Sequence, residues 1–240
     1  FLIHLAISAL IATTMVGLTL ALWYPPPYFA GMGGPMLLRL LIGVDVVLGP
    51  LITLIVFDPA KPRLKYDLMT IAALQIAALA YGTVVMFQAR PVYNVFVKDR
   101  FEAVAANRID DASRARATGE FRALPITGPR VVGATLPADA EERSNIAIAS
   151  MGGGPDVTEL PHLYVRYADV AAQAAAAAKP LSTLSRQGRV QAEAVSEFAK
   201  AHPDTANLGF VPVKARDRDF SAVVDRKTGE IVGYLPLNPW

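Results

Sequence analysis

Within the stretch Leu37–Phe57, LLRLLIGVDVVLGPLITLIVF, only Arg39, Asp45 and Thr53 interrupt a run of apolar side chains. A helix of that length reaches about 30 Å, the thickness of a bilayer's hydrocarbon core. A carboxyl group at the depth of Asp45 is costly unless it faces protein and meets a polar partner. Just beyond it, Gly49-Pro50 interrupts the backbone ladder, because proline lacks an N–H and its ring crowds the preceding turn. Depth counted along antiparallel neighbours puts Thr13 and Thr14 of the first apolar run, and Tyr81 of the third, level with Asp45. Gln75 falls about two turns further along. Hydrogen bonds from the Thr13, Thr14 and Tyr81 hydroxyls to Asp45 would lock three helices together, and Gly43, Gly49 and Gly82 would let the backbones approach closely.

Catalytic chemistry fits these residues less well. An intramembrane aspartyl protease needs two carboxylates that share a proton, whereas Asp45 is the one embedded acid and Asp58 and Asp67 flank a basic loop. No GxSxG occurs, and His162 and His202 lie in loop-like contexts as surface or turn histidines. His4 is expected at an interface or on a backbone carbonyl. The run Gly152-Gly153-Gly154-Pro155-Asp156 could cradle an anion, but without the lysine and following Ser/Thr of a P-loop it reads as a tight turn. The chain has no cysteine, which removes disulfides and thiolate chemistry. No catalytic residue, metal site or cofactor is expected.

The elements that must position Asp45 follow from the distribution of charge. The chain is 53% hydrophobic and 18% charged, and only seven of its charged residues precede position 89. It therefore divides into a three-helix transmembrane part, 1–89, with spans at about 1–23, 37–57 and 68–87, and an extracytoplasmic α+β domain, 90–240. Phe1–Trp23 is longer than a signal-peptide core and runs into Trp-Tyr-Pro-Pro-Pro rather than a cleavage site, so it reads as a retained span. A short native segment is expected before Phe1. The uncharged connector WYPPPYFAGMGGP suits a rigid turn, with Trp23, Tyr24 and Tyr28 at headgroup level. Lys61, Arg63 and Lys65 place the second loop in the cytoplasm, so everything after Arg90 lies outside it.

The outer part carries balanced charge, which argues against nucleic-acid binding. PVYNVFVKDRFEAVAA alternates about Lys98-Asp99-Arg100 as a hairpin does. Asp139 and Glu142 predict a helix start running to about Met151, and further helices are expected over 167–178 and 189–202. The C-terminal segment reads as three strands, the last two joined at Asp225–Gly229.

The succession HLAIS, WYPPP, GVDVVLGPLITLIVFDPAKPRLKYDL, YGTVVMFQARPVYNVF and GGGPD with a later Pro-x-x-Tyr resembles the TfpX/TfpZ family of type IV pilin accessory proteins. The resemblance covers essentially the whole chain and is most specific in the membrane third. It implies a multi-pass bacterial inner-membrane protein with its C-terminal domain in the periplasm. Such a protein acts as a chaperone-like factor for a major type IV pilin, supporting pilin stability and pilus assembly, with the lipid bilayer as its other contact and no catalytic centre.

Two roles for Asp45 follow. It fastens the three spans internally, or it stays partly unsatisfied until it meets a polar or cationic group on a pilin helix. In the second case spans two and three form a lateral groove opened by the bend at Pro50, with Asp45, Gly43, Gly49, Pro50, Tyr81 and Gly82 along it, while the outer domain contacts the pilin head. A membrane-anchored periplasmic scaffold or sensor without direct pilin binding is the alternative.

Overall fold

A computed structural model describes residues 2–203 and 207–240. Phe1, the start of the expected first span, lies outside the described residues. Three helices are long and apolar enough to cross a membrane: Leu2–Trp23, Gly34–Val56 and Leu64–Gln88. The first ends where Pro25-Pro26-Pro27 begins, since successive prolines cannot supply N–H groups to the ladder. The second opens with Gly33 at φ +77°, a left-handed conformation suited to glycine, followed by Pro35 in the first turn. Its start lies three residues before the expected Leu37, because the glycines and proline of the connector join the helix.

The second helix is the centre of the bundle. It packs against both others, whereas among the described residues the first and third barely touch along their lengths. They converge at one end only, where Trp23 meets Phe87 edge-on at 5.3 Å between ring centroids and the Tyr24 hydroxyl donates to the Met86 carbonyl at 2.9 Å. Both the first and second helices widen to π-type turns, over Thr19–Trp23 and Gly43–Leu48. The second of these runs up to Gly49-Pro50. The missing N–H and the bulk of the proline ring favour such a local widening over a regular ladder.

From Pro91 the chain forms one mixed sheet. Strands β1 (Pro91–Val97) and β2 (Arg100–Ala105) are the expected hairpin, turning at Lys98, whose φ is 58°. The sheet also contains β3 (Arg130–Ala134), β4 (Tyr164–Arg166), β6 (Leu208–Lys214), β7 (Phe220–Asp225) and β8 (Ile231–Leu235). The order is β4-β3-β1-β2-β6-β7-β8, with β5 (Lys179–Pro180) beside β6. The pairs β1–β3 and β2–β6 are parallel, and the remaining pairs are antiparallel. The helix Ala140–Met151 starts where expected, with the Asp139 carboxylate accepting from the N–H groups of Glu141 and Glu142. Expected helix 167–178 is shorter, Ala171–Ala177, after a 3₁₀ turn at Tyr167–Asp169. The helix Arg189–Ala201 lays Val195 and Phe198 against Phe210 and Val223 of the sheet.

The connector between the first two helices is packed into the protein core. Tyr24 and Tyr28 are buried, and Tyr28 packs edge-on against Phe220 at 5.0 Å and Tyr234 at 5.4 Å. The Gly31 carbonyl accepts from the Asp217 N–H at 2.7 Å. A Cβ at Gly31 would press on the Phe220 ring and the Arg218 carbonyl, so glycine permits this approach. Met32, Leu38, Leu41 and Met86 of the helical part therefore share one core with Phe96, Phe101, Val211 and Phe220 of the sheet. Burial of the connector also pushes the Tyr24 phenol up to about 12, against the pull of Arg216 and Arg90.

Candidate functional site

Asp45 sits in the π-type segment of the second helix and is 7% exposed. Among the described residues neither of its carboxylate oxygens has a hydrogen-bond partner. Gln75 does reach it, but at the main chain: its Nε2 donates to the Asp45 carbonyl at 3.0 Å. That bond serves a carbonyl freed by the distorted turn and leaves the carboxylate unserved. Gly49 makes room for it, since a Cβ there would collide with the Gln75 amide.

The residues expected to satisfy Asp45 are elsewhere. The Thr13 and Thr14 hydroxyls donate to the carbonyls of Ala9 and Leu10 at 2.8 and 2.9 Å, within their own helix, and both residues are exposed. Tyr81 is 74% exposed. Gly82 lies under the Leu41 side chain, which is the close approach expected of it. Gly43 has open space where a side chain would be, while Pro50 is buried against the neighbouring helices.

Two recesses meet at Asp45. The smaller, about 210 Å³, lies between the second and third helices and is lined by Leu37, Leu41, Val44, Tyr81, Gly82 and Met86. This is where a lateral groove is expected from sequence. The larger, about 560 Å³, lies between the first and third helices with the second as its floor. Ile3, Ile7 and Ile11 form one wall, Ala72, Ile76 and Leu79 the other, and Thr53 and Asp45 the floor. It occupies the half of the bundle remote from the sheet, and the Trp23–Phe87 contact lies at the opposite end.

Two floor contacts are not expected from sequence. His4 Nδ1 lies 2.7 Å from the Thr53 hydroxyl, tying the first helix to the second, and Ser8 is buried one turn along the same face. Their signal is the spacing His4, Ile7, Ser8, Ile11, which places all four on one face of the first helix. Neither recess brings a second carboxylate to Asp45 among its lining residues, so the shared-proton chemistry of an aspartyl protease has no second partner there.

Outside the bundle, the glycines after Met151 end a helix. The Gly152 N–H bonds the carbonyls of Ile148 and Ala149, that of Gly154 bonds Ala149 at 2.8 Å, and Gly153 is left-handed at φ +86°. With the Gly153 N–H on the Ser150 carbonyl at 3.1 Å, all three glycine N–H groups that could have held an anion are spent on the helix end. Asp156 and Glu159 form a reciprocal cap on the following turn. His202 stacks on Phe198 and bonds its carbonyl at 2.9 Å. His162 sits in a 3₁₀ turn as a largely buried side chain, with Glu142 3.9 Å away.

Comparison with known proteins places this architecture. The family model described as fimbrial assembly protein FimB matches residues 1–33, the first apolar helix and the connector built into the sheet. The chain is 33% identical over 230 residues to the "Fimbrial assembly protein, serogroup I" of Dichelobacter nodosus, covering 93% of this chain and 89% of that protein. It belongs to the fimbrial assembly protein family. A second relative from the same organism, of serogroup E1, is 31% identical over the same shares of both chains. A third, of serogroups C1 and C2, is 38% identical over 110 residues, 45% of this chain and 83% of that protein. No solved structure matches. For this member of the fimbrial assembly protein family, the stretch matched by the family model carries His4 and Ser8 together with Tyr24, Tyr28 and Gly31.

Proposed function

We propose that the chain is an inner-membrane pilin accessory protein of the TfpX/TfpZ type, which binds the major type IV pilin and supports its stability and assembly into the pilus. In this reading residues 1–89 are embedded, residues 90–240 form a periplasmic domain, and the basic loop at Lys61–Lys65 faces the cytoplasm. Likeness over nearly the full length to proteins named for fimbrial assembly supports the process. The observation that carries the mode of action is the shared core of bundle and sheet. A chain built this way holds a membrane recess and an outer surface in fixed register, as a factor must if it is to hold a pilin by its apolar helix and its head together.

The bilayer makes such a factor useful. An apolar helix gains little from exchanging lipid for protein contacts, so its recognition depends on close packing and a few interhelical hydrogen bonds. Removing the chain from its host and following the pilin by pulse-chase tests the proposal. The expected result is a shortened pilin lifetime, restored by the full chain, with pilin recovered alongside the chain after cross-linking in cells. A normal pilin lifetime, with only assembly-platform proteins trapped, would support the scaffold alternative instead.

A further inference from the structure

We infer that the 560 Å³ recess between the first and third helices is the seat of a partner's transmembrane helix, held by a side-chain donor at the depth of Asp45. This inference rests on the pilin-accessory reading and specifies where that partner is held.

Three observations lead to it. The recess opens sideways because, among the described residues, the first and third helices pack mainly on the second and converge at the Trp23–Phe87 end. Its walls are aliphatic, with Ile7 and Ile76 still 53% and 67% exposed, so they fit an apolar occupant within a bilayer. Asp45 lines its floor, is more than nine-tenths buried, and has two oxygens that nothing among the described residues satisfies.

The chemistry of that carboxyl group selects the occupant. A lipid tail has neither donor nor charge, so filling the recess with lipid would leave the cost of the buried carboxyl in place. A helix satisfies its own backbone in the bilayer and can present one polar side chain from an otherwise apolar face. Among the other polar groups that line the recess, His4 is engaged with Thr53 and Gln75 with the Asp45 carbonyl, while Ser8 is buried on the same face as His4. The occupant therefore needs one hydroxyl, amide or cationic group aimed at Asp45, with aliphatic or small residues beside it. Because the recess lies in the half of the bundle remote from the sheet, it holds the corresponding half of the partner's helix.

The test places a photoreactive benzoylphenylalanine, singly, at Ile7 or Ile76 on the recess walls, and at Ala9 or Leu74, which lie on the sides of the same helices turned away from the recess. Pilin should cross-link from Ile7 and Ile76 and not from Ala9 or Leu74. Asp45→Ala should lower that yield about threefold to tenfold at equal chain level, as expected for loss of one interhelical hydrogen bond. Equal yields from all four positions, a yield unmoved by Asp45→Ala, or a second copy of the chain trapped at Ile7 and Ile76 would each overturn the inference. Pilin trapped only from a probe at the exposed Met151 would overturn the seat while leaving the pilin-accessory reading intact. Pilin trapped from no position would overturn both.

Discussion

Asp45 and Gln75 show how one polar pair can serve packing without satisfying a charge. The amide spends its donor on a backbone carbonyl, and the carboxylate remains available in the recess. Depth along a helix was readable from the sequence only coarsely, since Gln75, expected about two turns from Asp45, donates to the Asp45 carbonyl. Azimuth was not, because each residue turns the side chain by about 100° and the Thr13 and Thr14 hydroxyls can close on their own helix. Two other residues allow direct checks. Gly229 has φ +75°, a Cβ there would strike the Ala171 carbonyl, and its own carbonyl accepts from the Tyr167 hydroxyl at 2.5 Å. Gly229→Ala should cost about 2 kcal/mol or more, read as a lowered melting temperature of the full chain in detergent. Burial and nearby Arg116 hold His162 below the usual imidazole range, against the opposing pull of Glu142. The unfolded chain then binds a proton at His162 before the folded chain does. Stability from this site is complete above about pH 6.5 and declines as the pH falls through that value toward the lowered folded one. The melting temperature should drop on acidification, and His162→Phe should flatten that drop.

At the scale of elements, the second helix organises the bundle through its irregularity. Gly49-Pro50 marked the break in the sequence, and the π-type turn it brings places Asp45 between two recesses. The strands β1, β2 and β6–β8 were legible as short runs rich in β-branched and aromatic residues bounded by turns, and β1, β6 and β7 are buried along nearly their whole length. β3, β4 and β5 are five residues or fewer and are defined by their neighbours: β3 by parallel pairing with β1, β4 by β3, and β5 by β6. Pairing between distant segments leaves no local pattern to read. The packing of the connector on the sheet was hidden for a related reason. An uncharged aromatic turn beside a span suits a headgroup zone equally well, and only the sheet, formed far along the chain, supplies the Phe220 and Tyr234 faces that bury Tyr28. The cross-helix contact of His4 with Thr53 gives a comparison between elements. Thr53→Val should lower detergent stability by about 0.5–1.5 kcal/mol, whereas Thr13→Val and Thr14→Val, which lose only bonds within one helix, should change it by less than about 0.5 kcal/mol.

At the scale of the whole molecule, the proposed topology sets the bundle in the inner membrane and the sheet above it, joined through the Tyr24–Met32 connector. The absence of cysteine makes this simple to measure. A cysteine introduced at Met151, which is 90% exposed, should react with a membrane-impermeant maleimide in cells with a permeabilised outer membrane. One introduced at Ala60 in the basic loop should react only after the inner membrane is opened. In the proposed role, the shared core would let binding at the recess or at the outer domain be felt by a single packed body. The decisive test of Asp45 as a pilin contact is co-purification of the major pilin with the Asp45→Ala chain, at membrane levels equal to the unaltered chain. The pilin recovered per chain should fall about threefold to tenfold, and the pilin's lifetime should shorten with it. Unchanged recovery and lifetime, from a variant that is stably expressed, would contradict that contact.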